Sequence, residues 1–165
     1  MTAPRLSVPL FAAALVAGAC GACSQAEPAP WLVNETPSVP RGLYRLTPER
    51  PGPGDIVALR PPAAARAYLA GLGAPPRARL LKRVSAEAGE TVCRRGQRLS
   101  WPGGAALALA KDRAGRVLPR WSGCRRLGPD GLLVVGDTPL SFDSRYFGPV
   151  TTAQIDGVYE EVWRW

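Results

Sequence analysis

Turn-forming residues constrain this chain more than any other feature of its sequence. Eighteen glycines and eighteen prolines are spread over 165 residues, which is roughly twice their usual frequency. Residues of this kind interrupt helices, whereas short strands joined by tight turns accommodate them. Apolar residues make up 46% of the chain, enough for one buried core. We therefore predict a mainly β domain of short strands and turns.

An uncharged segment near the N-terminus indicates export. Residues 6–23 carry no charge and follow Arg5, a pattern typical of a secretory signal or a short membrane anchor. Pro9 and the small residues at the end of the segment argue against an anchor, and cysteines near that end leave lipid attachment open. Because positive residues tend to stay in the cytoplasm, we expect the remainder on the periplasmic side of the inner membrane.

The chain divides into three parts on this basis. Residues 1–23 are the expected signal sequence or membrane anchor, and residues 24–33 are an expected proline-rich linker. Residues 34–165 are expected to form the folded domain.

Export also affects the interpretation of two cysteines. Cys93 and Cys124 would lie in an oxidising compartment, where they can pair. Closing a loop of about 30 residues stabilises a fold by about 3–4 kcal/mol in chain-entropy estimates. Two free buried thiols are the alternative.

The absence of histidine excludes several kinds of catalytic site. A chain without histidine cannot form a Ser-His-Asp triad, a Cys-His pair or a histidine-based zinc site. Acid–base chemistry near neutral pH would need Lys, Asp, Glu, Tyr or Cys with a shifted pKa. We expect no metal and no other cofactor.

The net charge is +8 and comes mostly from scattered arginines. A solvated basic face, or attraction to a membrane surface with anionic lipids, is favoured over nucleic-acid binding. We therefore expect no nucleic-acid partner.

Hydrophobic patterning predicts where the short elements lie. Alternating residues or short apolar runs predict strands at GLYRL, GDIVALR, DGLLVVGD and IDGVYEEVW, and AAARAYLAGLG is consistent with one short helix. The segment RARLLKRVSA fits either a strand or a helix by its pattern.

Two residues are candidates for catalysis without histidine. Ser38 lies between Pro37 and Pro40, which hold it rigidly. Lys82 lies in a partly apolar run, where it is either a surface residue of an alternating strand or a buried, neutral amine. A desolvated lysine can act as a general base near pH 7, and Ser-Lys pairs are a known alternative to the triad.

Four motifs occur in an order that resembles the type I signal peptidase family. They are TPSVP around Ser38, GDIVALR, LLKRVSAEAGETV around Lys82, and VVGDTPLSFDSRYFGPV. Together they extend over residues 34–150, and SFDSRYFG is the most specific of them. The resemblance implies a signal-peptidase-like β fold that follows an N-terminal signal or anchor.

Within this family the chain is most similar to the TraF-like peptidases of conjugative transfer. The similarity is carried by SVPRGLYR, SFDSRYFGP, the cysteines in TVC and SGC, and the small size. Ordinary signal peptidases usually have Met after the serine, whereas Val39 follows Ser38 here. This difference favours a specialised peptidase over a housekeeping one.

The resemblance implies a role for each matching residue. Ser38 would be the nucleophile and Lys82 the general base. The hydroxyl of Thr36 would form the oxyanion hole together with the backbone N–H of Ser38.

Four residues of the last motif would support these two. Ser141 matches the serine that orients the lysine amine, and Asp143 and Arg145 match a charge pair that shapes the site. Asp137 is a weaker candidate in the same motif. An ordinary structural ion pair is the alternative for Asp143 and Arg145.

These roles predict a membrane-associated serine endopeptidase that cleaves exported precursors after small residues. The expected partners are a precursor protein, such as a propilin in conjugative transfer, and the lipid surface. One alternative is a housekeeping signal peptidase I for secreted proteins, and another is a non-catalytic periplasmic lipoprotein or scaffold of a transfer apparatus. A self-cleaving repressor of the Ser-Lys type does not fit the apolar N-terminus.

Overall fold

The structure is a computed structural model that describes residues 27–165. The expected signal or anchor at residues 1–23 lies outside the described residues. Among residues 27–165, no helix is both long and apolar enough to cross a bilayer.

Strands dominate the described part of the chain, as the turn-rich sequence predicted. In chain order the elements are β1 (Trp31–Asn34), β2 (Gly42–Thr47), β3 (Ile56–Leu59), α1 (Ala63–Gly71), β4 (Leu80–Ala86), β5 (Thr91–Arg95), β6 (Arg98–Trp101), β7 (Gly104–Leu107), β8 (Gly123–Arg126), β9 (Gly131–Val135), α2 (Ser144–Phe147), β10 (Val150–Thr151) and β11 (Ile155–Arg164). A 3₁₀ turn at Thr152–Gln154 joins the last two strands. The predicted mainly β fold class is confirmed.

The strands form two antiparallel sheets. The larger has seven strands in the order β1-β2-β11-β3-β4-β9-β10, and the smaller has four in the order β7-β6-β5-β8. In the smaller sheet Cys93 on β5 lies opposite Cys124 on β8. The two cysteines form a disulfide, so the expected pairing is present.

The predicted strands and the predicted helix are present in this arrangement. The structure also resolves one ambiguous segment and places a strand in part of the expected linker. The ambiguous segment RARLLKRVSA contains a strand, β4, because its residues alternate between the core and the surface from Lys82 onward. β1 occupies residues 31–33 of the segment that we expected to be a linker. These residues are ordered by pairing with β2, where Val33 lies opposite Leu43.

The core holds the segment that contains Ser38. Val39 is 1% exposed and packs in a cluster with Tyr44, Ile56, Leu81 and others. Full burial of such a side chain contributes roughly 1.5–3 kcal/mol. The residue directly after the serine is therefore an anchor, which explains why a rigid apolar side chain occupies that position.

Candidate active site

The loop that carries Ser38 is held by the side chain of Asn34. Asn34 ends β1 and is 5% exposed. Its Nδ2 lies within hydrogen-bonding distance of three carbonyl oxygens, at 2.9 Å from Thr36, 3.0 Å from Val39 and 2.9 Å from Pro40. One buried amide thus closes the turn on both sides of the serine. Sequence reasoning missed this residue, although an asparagine before a turn is a known signal for such a contact.

The same asparagine controls the hydroxyl of Thr36. Asn34 Oδ1 accepts from Thr36 N at 3.2 Å and from Thr36 Oγ1 at 2.9 Å. The three carbonyls around Nδ2 fix the orientation of the amide, so Oδ1 can only accept. The one proton of the Thr36 hydroxyl therefore points to Asn34.

This proton assignment affects the contact between Thr36 and Ser38. The two hydroxyl oxygens are 2.9 Å apart. Since Thr36 donates to Asn34, its oxygen can only accept here, and Ser38 can donate its one proton either to Thr36 or to the carbonyl oxygen of Leu81, which is 3.3 Å away. The predicted role of Thr36 in an oxyanion hole then requires its hydroxyl to rotate away from Asn34.

Lys82 lies beside Ser38 at the bottom of one cavity. It is 4% exposed, on β4, opposite Val57 of β3. Lys82 Nζ donates to the carbonyl oxygen of Leu81 at 2.8 Å, and the same oxygen lies 3.3 Å from Ser38 Oγ as an alternative acceptor for the serine proton. The two predicted catalytic side chains are thus brought together on one shared acceptor. No direct hydrogen bond joins them in the described structure.

Burial changes the protonation of Lys82. Loss of water around the amine lowers its pKa to about 8 from 10.5, with Asp143 and Asp137 acting against this shift and Arg145 adding to it. A decrease of this size raises the neutral fraction near pH 7 by about 300-fold. The amine can therefore accept a proton at a pH where an exposed lysine cannot.

Ser141 lies in the same cavity, but its hydroxyl makes no hydrogen bond to the amine. Its Oγ is buried and has no hydrogen-bond partner within residues 27–165, and the same is true of Thr138 Oγ1. Ser141 packs so closely against Gly136 that a Cβ at position 136 would overlap it. The predicted orienting role of Ser141 remains a prediction, since an unpaired buried hydroxyl is available to a neighbouring amine or a bound group.

Asp143 and Arg145 form a buried ion pair that holds a loop. Arg145 Nε donates to Asp143 Oδ1 at 2.8 Å and Nη2 donates to Oδ2 at 2.6 Å. Asp143 also accepts from Gly136 N at 2.8 Å, and Arg145 donates to the carbonyls of Thr138 at 2.8 Å and Pro139 at 3.1 Å. The pair therefore fixes residues 136–139, as expected for a structural pair that shapes the site.

Asp137 contacts the nucleophile loop through its backbone. Its N–H donates to the carbonyl oxygen of Ser38 at 2.6 Å. Its carboxylate is exposed and accepts two hydrogen bonds from Arg83, at 3.0 and 2.9 Å. The side chain thus has a surface role, while the backbone positions Ser38.

The cavity above these groups has a volume of about 390 Å³. Its walls come from residues 33–38, residues 79–82 and the segment 138–142. On β4, Leu80–Lys82 pair only with β3, because pairing with β9 begins at Arg83. The cavity therefore has a free strand edge along one wall. No group of three or more acidic or cysteine side chains in the described residues is placed to hold a metal ion.

The chain is similar to several known proteins. The family model described as "Signal peptidase, peptidase S26" matches residues 6–165. "Plasmid transfer protein TraF" from Escherichia coli is 35% identical over 146 residues, which cover 81% of this chain and 82% of that protein. "Probable conjugal transfer protein TraF" from Sinorhizobium fredii is 37% identical over 164 residues, covering 91% and 86%. A crystal structure of a signal peptidase I from Enterococcus faecalis is 25% identical and covers 68% of this chain and 98% of that chain, with a TM-score of 0.40.

We expect Asn34→Ala to slow acylation of Ser38 by about 10- to 100-fold, which is less than the roughly 100- to 1,000-fold lost with a direct oxyanion donor, because Asn34 acts only by holding the loop. Asn34→Asp keeps the acceptor for Thr36 but loses the donors to the three carbonyls. Its effect should therefore report the contribution of the contacts to those carbonyls. The measurement is the labelling rate of the purified chain by a serine-directed acylating reagent.

Thr36→Ser and Thr36→Val provide the matched pair for this test. Thr36→Ser keeps the hydroxyl, so this variant should be labelled close to the wild-type rate. Thr36→Val lacks the hydroxyl and should be labelled more slowly. If Asn34→Ala acts partly through Thr36, the combined variant Asn34→Ala, Thr36→Val loses less than the product of the single losses. If the Asn34→Ala variant is labelled at the wild-type rate, the asparagine does not position the serine.

Proposed function

Because the chain belongs to the signal peptidase family, peptidase S26, we propose that it is a membrane-associated serine endopeptidase that cleaves exported precursor proteins after small residues. Ser38 is the nucleophile and Lys82 is the general base. The observation that carries this proposal is the convergence of Ser38 Oγ and Lys82 Nζ on one carbonyl oxygen, that of Leu81.

The first chemical step transfers a proton to a buried amine. Neutral Lys82 takes the proton of Ser38 as the Oγ attacks the substrate carbonyl, and the resulting ammonium later donates to the leaving amine. The lowered pKa of Lys82, caused mainly by burial, makes the neutral form accessible near neutral pH. Water or a second amine then resolves the acyl-enzyme.

The oxyanion is stabilised by the backbone of the nucleophile itself. Ser38 N–H donates no hydrogen bond within residues 27–165, so it is available to the developing charge. Thr36 is the second donor once its hydroxyl turns from Asn34 towards the substrate. Each such donor typically lowers the barrier by about 3–4 kcal/mol.

The substrate binds as an added strand. No second strand pairs with the edge of β4 at Leu80–Lys82, so an extended peptide can add there as a further strand. Main-chain hydrogen bonds then supply affinity, while side-chain pockets supply selectivity.

The similar proteins support a specialised substrate. Two similar proteins are named for plasmid or conjugal transfer, which supports processing of a pilin subunit in conjugative transfer. Val39 after Ser38, where ordinary signal peptidases usually have Met, favours this over a housekeeping role. A non-catalytic scaffold would have no need for a buried lysine next to a serine.

We place the domain against the periplasmic face of the inner membrane. Trp163 and Trp165 are 67% and 57% exposed, and Val33 and Trp163 both lie opposite Leu43 on one face of the larger sheet. Amphipathic rings are favoured at the membrane interface. This apolar face lies next to the Ser38 loop, because β1 ends where that loop begins.

Vesicles with brominated acyl chains test this placement, since bromine quenches only nearby indoles. We expect the Trp163→Phe, Trp165→Phe variant to lose most of the quenching, because those rings would enter the interface. The control is Trp101→Phe, which removes a half-buried ring in the smaller sheet. This variant should keep the quenching of the wild-type chain. Equal quenching of the double variant and the wild type would argue against this orientation.

Ser38→Ala and Lys82→Ala should each abolish processing of an exported propilin, with a loss of at least about 1,000-fold. The double variant should lose no more than either single one, because the two residues act as a unit. Ser122→Ala and Lys111→Ala change exposed residues of the same types and should process normally. The measurement is the rate of product formation by mass spectrometry, and substantial residual cleavage by Ser38→Ala would refute the assignment.

A further inference from the structure

A second cavity adjoins the one above Ser38. It has a volume of about 350 Å³ and lies between the segment 109–118 and the aromatic residues that follow Leu140. Pro37, Leu140 and Phe142 line both cavities. Leu140 is 49% exposed, so the common wall is an open apolar ridge. A chain bound over Ser38 can continue across this ridge into the second cavity.

The floor of the second cavity is aromatic. Phe142 lies 4.6 Å from Tyr68 and 5.4 Å from Tyr146, measured between ring centroids. Leu109 and Leu118 complete the apolar surface. Such a floor favours a large apolar side chain, since aromatic faces bury a large area and stack well. This selectivity is opposite to that expected next to the cut.

A turn centred on Asp112 forms the rim of the cavity and pairs with Arg116. Asp112 accepts from Tyr68 Oη at 3.0 Å, from Arg116 Nε at 2.7 Å and from the N–H of Ala114 at 2.8 Å. Burial alone would raise the pKa of Asp112, but these hydrogen bonds lower it to about 2. The ionised carboxylate thus neutralises Arg116.

Arg113 stands next to this pair without a partner. Its side chain makes no ion pair and no hydrogen bond within residues 27–165, and it lines the cavity. An unpaired guanidinium at the edge of an apolar pocket favours a carboxylate, which it can bind in a bidentate manner.

We propose that the second cavity binds a further segment of the substrate, with a large apolar side chain on the aromatic floor and an adjacent acidic side chain against Arg113. This inference rests on the peptidase function proposed above and adds a second point of selection to it. Small residues at the cut are common in exported proteins, so a distant apolar and acidic pair would let the enzyme distinguish one precursor from others.

Binding of peptides to the full-length Ser38→Ala chain in detergent tests the proposal without cleavage. The probes are fluorescein-labelled peptides with an Ala-Gly-Ala centre, in which a Phe-Glu or a Phe-Lys pair is moved stepwise along both flanks. At one location we expect Phe-Glu to bind about 10-fold more tightly than Phe-Lys, as measured by fluorescence anisotropy. Arg113→Glu should reverse this preference, and Ala114→Trp, which fills the cavity from its exposed rim, should remove it.

Two matched variants and one activity assay make the outcomes distinct. Arg98→Glu and Ala153→Trp change exposed residues outside both cavities and should keep the preference for Phe-Glu. No Arg113-dependent preference at any location, or an equal change in Arg98→Glu, would overturn the proposal. If the enzyme with Ser38 intact cleaves none of these peptides while the Arg113-dependent binding persists, the peptidase function fails and the second site stands.

Discussion

The candidate site depends on a buried amine that has no carboxylate partner. Lys82 forms no ion pair within residues 27–165, and its one hydrogen bond goes to the neutral carbonyl of Leu81. An ammonium group in such a position is poorly stabilised, because it has lost water and gained no counter-charge. The one fully buried carboxylate whose charge acts on it, Asp143, is already occupied by Arg145 and a backbone N–H. Arg145 therefore favours the neutral, proton-accepting form of the lysine by occupying its potential partner, in addition to holding the loop 136–139.

Two buried polar groups position the serine from opposite sides. Asn34 closes the turn that carries Ser38, and the Asp143–Arg145 pair fixes the loop whose Asp137 N–H binds the Ser38 carbonyl. Networks of this kind are rigid when every member is satisfied. Two of the four buried side-chain atoms without a hydrogen-bond partner within residues 27–165, the hydroxyls of Ser141 and Thr138, lie in the cavity where a substrate would bind. The network that positions Ser38 is thus rigid, while the cavity wall keeps hydroxyl groups that a bound substrate can pair with.

Sequence reasoning predicted the strands β2, β3, β9 and β11 because alternation and short apolar runs are local signals. Ser38 and Lys82 are each a weak signal alone, and their pairing rests on the order of the four motifs that resemble the family; it stays a prediction. Sequence reasoning did not predict Asn34 as the residue that holds the loop, because the three carbonyls it binds are defined only when β1 is folded against β2. It also did not predict the shared carbonyl of Leu81 or the cavity beside Arg113. Those features depend on contacts between distant segments, which carry no periodicity in the chain.

The protonation state of Lys82 tests the central claim most directly. The chain contains only two lysines, Lys82 and Lys111, so biosynthetic labelling with [ε-¹³C]lysine gives two carbon resonances, and Lys111→Arg assigns them. Each resonance moves as its amine loses a proton, which yields a site-specific pKa. We expect a midpoint for Lys82 of about 8. A midpoint at or above the ordinary value of 10.5 would contradict it, because the amine would then be charged under working conditions and could not take the proton of Ser38.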